Sequence, residues 1–354
     1  MSARAAAAWA TLRASRRAPL PPRVRLGLRA GTVVACVIFA AVPYWVGGSY
    51  FPDIWTDMAL WATVGLGLNV VIGFAGLLDL GYMAFYAIGG YVFAYAALYH
   101  GFTLWETLPI GAVLAVVASA VIGFPTLRVR GDYLAIMTLG FGGIVFVAAK
   151  NLTVLTGGDN GLYGWRPPTL FGTPLVQPVD FYPLALALMA VATVVTMGLR
   201  ESRIGRAWVC IKDDELAAAA SGIAVIRYKL YAYMLGSVWA GLAGAIFAAK
   251  QSLISPESFT FNASFFAVAI VVLGGMGSVA GVIGGAIFYV VIAEWLSAYT
   301  GTLSGVIFAG LLLVVVLFRP AGLVPYRPRV PRRRLRRAQG AGPPATTDDY
   351  RLGV

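Results

Sequence analysis

The sequence predicts an all-α polytopic membrane protein with about ten transmembrane helices and one short cytoplasmic helix. Hydrophobic residues make up 59% of the 354 residues and charged residues only 12%, whereas about a quarter of a soluble domain is charged. The mean hydropathy is +0.79, and the 42 glycines agree with it because glycine is commoner in membrane helices than in soluble ones. Composition therefore favours a chain that lies largely within a bilayer.

About ten apolar runs are long enough to cross a membrane, because roughly 17–25 apolar residues span the hydrocarbon as a helix. They are residues 31–48, 54–72, 80–99, 107–124, 132–149, 181–199, 230–250, 263–281, 283–299 and 303–318. The second and third runs are separated by the short stretch GFAGLLDLG, which predicts either a tight turn or a broken, partly re-entrant element.

The first apolar run, residues 31–48, is interpreted as a retained span. The basic stretch before it is long for a signal peptide, and no clear small-residue cleavage site follows Trp45. An Arg-rich stretch without acidic residues is also typical of a mitochondrial transit peptide, which stays the alternative for this terminus.

The distribution of Lys and Arg predicts that both termini are cytoplasmic, since basic residues concentrate in cytoplasmic loops. With the N-terminus inside, 24 of the 27 basic residues lie in cytoplasmic segments, and only Lys150, Arg166 and Lys250 lie outside. The net charge of +12 is thus explained by topology and not by binding to nucleic acid. We expect a multi-pass protein of a bacterial inner membrane.

Three regions follow from this topology. Residues 1–30 form a basic cytoplasmic tail, residues 31–318 form the transmembrane domain, and residues 319–354 form a second basic tail that we expect to be disordered. The longest outside loop is 150–180, whose Gly-Gly-Asp-Asn-Gly and Pro-Pro sequences indicate turns. This loop is either a connector or a docking surface on the external face.

Residues 200–229 form the one long cytoplasmic loop between two predicted spans, and they encode a short helix. Asp213 or Asp214 is a candidate N-cap, because acidic residues favour the positive end of a helix. Four alanines favour the helix and Gly222 favours its end. Such a helix has little side-chain bulk and can enter a groove on another protein, with Glu215 available for a polar contact. The alternative is a solvated helix on the membrane surface.

The stretch DDELAAAASGI resembles the EAA loop of ABC-importer permeases, in which a coupling helix inserts into a cytoplasmic ATPase. Glu215, Ala217, Ala218 and Gly222 match the pattern E-x-A-A-x-x-x-G. Further blocks, among them GLNVVIGFAGLLDLGYMAFYAIGGY, TGGDNGL and VVLGGMGSVAGVIGGA, resemble branched-chain amino acid ABC-transporter permeases of the LivM type. The similarity covers roughly residues 60–323. Asp79 departs from it, because the family more often has a small polar residue there.

The resemblance implies a permease subunit that works with several partners. These are a homologous second permease, two cytoplasmic ATPases that bind ATP and Mg, and a periplasmic or lipid-anchored solute-binding protein facing loops 150–180 and 251–262. Leucine, isoleucine and valine are the implied solutes, and urea or short amides are the alternative within the same family. The implied ATPase-coupling residues are Asp213, Asp214, Glu215, Ala217, Ala218 and Gly222.

Two features inside the predicted spans are candidates for a translocation pathway. Asp79 lies in the glycine-rich break, where a buried carboxylate is costly and often functional. Gly274, Gly275 and Gly277 belong to a glycine string that either packs helices closely or flexes beside the pathway.

Other function classes find little support in the sequence. None of the four lysines follows a glycine, so a GxxxxGK[ST] phosphate loop is excluded. Two cysteines and one histidine are too few for a zinc site, and no motif suggests a catalytic residue. We expect no enzyme activity, cofactor or metal in this chain. An ion-coupled secondary transporter is the rival from another class, and it predicts transport without ATPases.

Overall fold

The computed structural model describes residues 50–127, 129, 132–170 and 173–300, the single residues 305, 307 and 310, and residues 322–324. The predicted tail 1–30 and first span 31–48 lie outside the described residues, as do most of the predicted tenth span and of the tail 319–354.

Helices dominate the described part of the chain. The helices are α1 (Tyr50–Leu68), which continues into a π-helix (Asn69–Phe74), α2 (Met83–His100), α3 (Leu104–Thr126), α4 (Asp132–Asn151), α5 (Thr153–Thr156), α6 (Pro178–Glu201), α7 (Arg203–Asp213), α8 (Glu215–Ala220), α9 (Val225–Gln251), α10 (Phe261–Gly274) and α11 (Val279–Thr300). Short 3-10 turns cover Gly158–Asn160 and Pro256–Phe259, and the strands are β1 (Leu162–Tyr163), β2 (Thr169–Leu170), β3 (Thr173–Pro174) and β4 (Leu253–Ile254).

Seven helices in the described residues are long and apolar enough to cross a membrane. They are α1 with its π-helix, α3, α4, α6, α9, α10 with the turn before it, and α11. An eighth long helix, α2, coincides with the predicted span 80–99 and carries four tyrosines and His100. The prediction of a helical protein with many spans is confirmed, whereas the total of about ten stays a prediction.

One predicted boundary is wrong. The sequence predicts spans 263–281 and 283–299 with a turn near residue 282, but α10 ends at Gly274 and α11 begins at Val279. Gly275 and Gly277 have positive φ values of 110° and 84°, which favour glycine and turn the chain there. The Ser278 hydroxyl then accepts a hydrogen bond from the Gly281 amide in the first turn of α11. Hydrophobicity alone does not mark such a turn, because apolar residues lie on both sides.

Helix α9 is the centre of the bundle. It packs against α1, α2 and α3, and most of its buried residues are Gly, Ala or Ser. Small side chains let the helix backbones approach closely, which is how membrane helices gain packing without a hydrophobic driving force between them. One such close approach joins Gly89 of α2 to Gly241 of α9, with Gly111 of α3 beside them.

This glycine contact makes a testable prediction about stability. A Cβ atom on Gly89 would overlap the Gly241 carbonyl, whereas a Cβ on Gly143 of α4 would meet no atom of a described residue within 4 Å. We expect Gly89→Ala to cost about 1–3 kcal/mol or more through overpacking. The matched control Gly143→Ala should be neutral or stabilise by up to about 1 kcal/mol. The midpoint of thermal unfolding in detergent measures both, and equal midpoints would contradict the packing described here.

The two ends of the bundle differ in character. We call the end that carries α7 and α8 the α8 end, and the other the opposite end. At the opposite end β1 pairs antiparallel with β4, so that Leu162 faces Ile254. The Lys150 ammonium adds ion pairs to Glu257 at 2.8 Å and to Asp159 at 3.3 Å. The segments 150–180 and 251–262, separate in sequence, thus form one surface.

Candidate coupling site and the interior break

Helix α7 lies against the end of the π-helix and the start of α9. Trp208 is fully buried, stacks on Phe74 with ring centroids 6.4 Å apart, and donates its indole N–H to the Tyr228 carbonyl at 2.7 Å. The Lys212 ammonium donates to the Gly73 carbonyl at 2.8 Å. Burial lowers the pKa of Lys212, and the Asp213 charge opposes that shift. The α7 helix is therefore joined to both α1 and α9 and is not a loose connector.

The short helix predicted for the loop is present as α8. Asp214 is its N-cap, and one of its carboxylate oxygens accepts hydrogen bonds from the Leu216 and Ala217 amides at 2.9 and 3.0 Å. Of the two acidic residues considered for this position, Asp214 therefore takes the role, while Asp213 ends α7. The cap satisfies two amides that otherwise have no partner in a helix.

The helix ends as the sequence suggested, at a glycine. Gly222 has a φ of 82°, and the Ile223 amide bonds back to the Ala218 carbonyl while the Gly222 amide bonds to Ala219. These two bonds form a Schellman motif, which is the usual way in which a helix stops at a left-handed residue. Any side chain at residue 222 would have open space but a strained backbone.

Glu215 contacts a residue of its own chain. Its carboxylate lies 2.7 Å from the ammonium of Lys229 in α9, and the Lys229 side chain is only 6% exposed. A buried ammonium needs a partner, since removing one member of a buried pair costs about 3–5 kcal/mol. The pair therefore fixes α8 onto the first turns of α9. A contact between Glu215 and an ATPase stays a prediction.

The alanines of α8 face two directions. Ala218 is buried against the rest of the chain, whereas Ala217 is exposed beside Leu216, whose exposed fraction is 67%. An apolar groove of about 450 Å³ runs between α8 and the start of α9, with Leu216, Ala219, Ile223 and Ile226 in its lining. The outward surface of α8 therefore includes Leu216, Ala217 and the groove beside them. Ala218 packs against the rest of the chain.

The glycine-rich break joins the π-helix to α2. Asp79 is enclosed there with 1% exposure, and its Oδ1 accepts a hydrogen bond from the Gly81 amide at 2.9 Å. Its Oδ2 makes no hydrogen bond within the described part of the chain, although the hydroxyls of Tyr233 and Thr138 lie near the carboxyl group. The break is therefore a packed, irregular segment between two helices, and not a tight turn.

The other pathway candidates, Gly274, Gly275 and Gly277, form the turn between α10 and α11. All three are buried, and the Gly277 amide donates to the Asn69 side chain of the π-helix at 2.8 Å. A Cβ on Gly73 would lie 2.5 Å from that amide, so the turn presses directly on the π-helix. The turn at Gly277 and the Lys212 side chain both contact the π-helix, whereas Asp79 lies after the π-helix in the chain.

Two functional candidates were not recognised in the sequence. Lys229, the partner of Glu215, follows it by 14 residues and lies beyond a turn. Trp208 is one of several apolar residues in α7, and nothing in the sequence distinguishes it from the others. The apolar positions Ile204, Trp208 and Ile211, spaced by four and then three residues along α7, are the signal in the sequence for a docked helix face.

Long apolar helices packed through glycines, with a capped polar helix pair at one end, define a multi-pass membrane protein. The family described as branched-chain amino acid transport system / permease component matches residues 50–317. The chain belongs to this family, and the predicted resemblance is confirmed.

Individual relatives agree with this assignment. The chain is 41% identical over 316 residues to the high-affinity branched-chain amino acid transport system permease protein LivM of Escherichia coli, covering 83% of this chain and 74% of that protein. It is 27% identical over 285 residues to the permease protein LivH of Salmonella typhimurium, covering 75% and 91%. Among solved structures, PsaBC from Streptococcus pneumoniae in complex with Fab matches with a TM-score of 0.42 and 14% identity, covering 79% of this chain and 95% of that chain.

Proposed function

We propose that this chain is a permease subunit of an ATP-driven ABC importer that moves leucine, isoleucine and valine across a bacterial inner membrane. Both termini and the α8 end face the cytoplasm. Two ATPase subunits bind ATP and Mg and engage α8, a homologous permease completes the pathway, and a periplasmic or lipid-anchored solute-binding protein delivers the amino acid. The observation that carries the proposal is the double attachment of the α7–α8 unit to the spans.

The contacts around α7 and α8 support a route for force. A pull on α8 reaches α9 through the Glu215–Lys229 pair, in which the Lys229 side chain is buried near the start of the central helix. A pull on α7 reaches α1 through the packing of Trp208 on Phe74 and the bond from Lys212 to Gly73. Because helices and packed cores move as units, ATPase closure would tilt both spans together.

The π-helix is where this route meets the interior. Residues Asn69–Phe74 contact α7 on one side and the turn containing Gly277 on another. Single-turn π-helices are uncommon and occur often at functional sites. We propose that this segment passes the movement to the turn at 274–278 and to the break that carries Asp79. Gly274, Gly275 and Gly277 give the turn its freedom, and Asp79 meets the ammonium group of the passing amino acid.

The surface at the opposite end fits a docking site for the solute-binding protein. The pairing of β1 with β4 and the ion pairs of Lys150 join segments 150–180 and 251–262 into a single face. In this proposal the binding protein delivers solute at this face. The ATPase subunits act at the other end, on the opposite side of the membrane.

Uptake by membrane vesicles tests the proposal. Vesicles that contain the full assembly, with ATP at the ATPase side and binding protein at the other side, should accumulate labelled leucine and not labelled urea. Replacing ATP with a non-hydrolysable analogue should stop accumulation, because closure without hydrolysis permits no further cycle. Accumulation of leucine at an unchanged rate without ATP would instead indicate an ion-coupled transporter, and accumulation of urea would change the solute class.

A further inference from the structure

The end of helix α10 is covered by residues 322–324, which follow the last predicted span. The Leu323 amide donates to the Leu273 carbonyl at 2.8 Å, and the Val324 amide donates to the Gly274 carbonyl at 3.1 Å. The last four carbonyls of a helix have no partner within that helix, so a segment from elsewhere in the chain satisfies two of them here. Both Leu273 and Gly274 are buried, so water cannot readily replace these donors.

Gly322 brings this segment against the turn between α10 and α11. Its φ of 75° lies in the left-handed region that favours glycine. A Cβ atom at this position would lie 2.5 Å from the Gly275 Cα and 3.0 Å from the Val272 carbonyl oxygen. Both neighbours are backbone atoms, which cannot rotate away as the end of a side chain does. The contact therefore requires glycine at residue 322 both for its conformation and for its space.

The same turn has a second attachment, to the π-helix. The Gly277 amide donates to Asn69 Oδ1 at 2.8 Å, and the Asn69 side chain is fully buried. Residues 322–324 therefore hold the turn at Gly274, whereas Asn69 holds it at Gly277. Bending of the turn is confined to the short stretch between these two attachments, where Gly275 has a φ of 110°.

We propose that residues 322–324 position the 274–278 turn and travel with it, so that the chain after the last predicted span is part of the moving element. The movement itself rests on the proposed function, in which it starts at α7 and reaches the turn through the π-helix. A turn that left residues 322–324 behind would deprive the buried Leu273 and Gly274 carbonyls of their donors, whereas joint movement keeps both bonds. Gly322 is then a positioning residue for transport, which acts through the turn and not on the solute.

Gly322→Ala tests the positioning role in the full assembly. The added methyl group would push residues 322–324 away from the turn, and we expect leucine uptake per hydrolysed ATP to fall by roughly tenfold. A misfolded fraction would lower uptake and hydrolysis alike and leave that ratio unchanged. The matched control is Gly101→Ala, because Gly101 also has a positive φ, of 66°, but a Cβ there would meet no atom of a described residue within 4 Å. An equal ratio in the two variants overturns the positioning role.

Hydrogen exchange of the Leu323 and Val324 amides tests the attachment in the unsubstituted assembly, so this measurement stands even if Gly322→Ala fails to fold. Without nucleotide, both amides should exchange at least about a hundredfold more slowly than in an unstructured peptide of the same sequence. Adding a non-hydrolysable ATP analogue should change their exchange by less than about threefold, because the bonds move with the turn.

Two results would overturn the proposal. Fast exchange without nucleotide would mean that residues 322–324 do not hold the turn, and loss of protection with the analogue would mean that the turn leaves them behind. If the assembly accumulates no leucine, the import function fails, while exchange without nucleotide still decides whether residues 322–324 hold the turn.

Discussion

Under the proposed function, we expect Glu215→Lys to abolish uptake and the association with ATPase subunits while the protein remains inserted in the membrane. The substitution removes the carboxylate that lies 2.7 Å from the Lys229 ammonium and puts a second positive charge in its place. Breaking a buried pair costs about 3 kcal/mol or more. The equilibrium constant for α8 lying against α9 therefore falls by roughly a hundredfold. Uptake by vesicles and co-purification with the ATPases measure the loss.

The charge swap makes this prediction specific. Glu215→Lys combined with Lys229→Glu restores a pair of opposite charges at the same place, so part of the uptake should return. The matched control is Glu201→Lys, since Glu201 is an exposed acid in the same region. A single Glu215→Lys variant that transports normally would remove the coupling role of α8. An inserted double variant without any recovery would mean that Glu215 contacts the ATPase more than it contacts Lys229.

Trp208→Ala will uncouple ATP hydrolysis from transport. The indole is fully buried between Phe74 and α9, and losing such a side chain costs about 3–5 kcal/mol. The outward surface of α8 is unchanged, so ATPase subunits should still co-purify and hydrolyse ATP. Leucine uptake per hydrolysed ATP should fall by roughly a hundredfold, because the proposed route from α7 to the π-helix is lost.

Trp208→Phe is the control for this position. It retains an aromatic ring against Phe74, but it loses the hydrogen bond to the Tyr228 carbonyl, at a cost of about 1 kcal/mol, and part of the buried indole volume. We expect most of the uptake to remain. If Trp208→Ala transports as efficiently as Trp208→Phe at equal amounts of inserted protein, the contact between α7 and the π-helix is not needed for coupling.

Local sequence was sufficient for features that depend on neighbouring residues. Apolar runs located the long helices, and the acidic pair, alanines and glycine at 213–222 located α8 with its N-cap and its end. These features follow from capping and propensity, which act within a few residues. The division at residue 282 was wrong because a glycine turn inside an apolar run has no hydrophobic signature.

Features that depend on distant residues were beyond the sequence. The partner of Glu215 comes from another helix, and the neighbours of Asp79 come from α4 and α9. The residues of the π-helix do not differ in type from those of an apolar α-helix. The position of α8 is therefore predictable from the sequence, whereas its attachment to Lys229 is not.

The π-helix also sets the phase of the first described span. A π-turn holds one residue more than an α-turn in the same length, and each residue of an α-helix advances it by about 100°. Shortening Asn69–Phe74 by a single residue would therefore rotate Tyr50–Leu68 by more than a quarter turn, swinging Gly67 away from Gly236. Chain length in this segment is accordingly constrained more strictly than residue identity, and natural variants of the protein should differ there by exchange of side chains and not by gain or loss of a position.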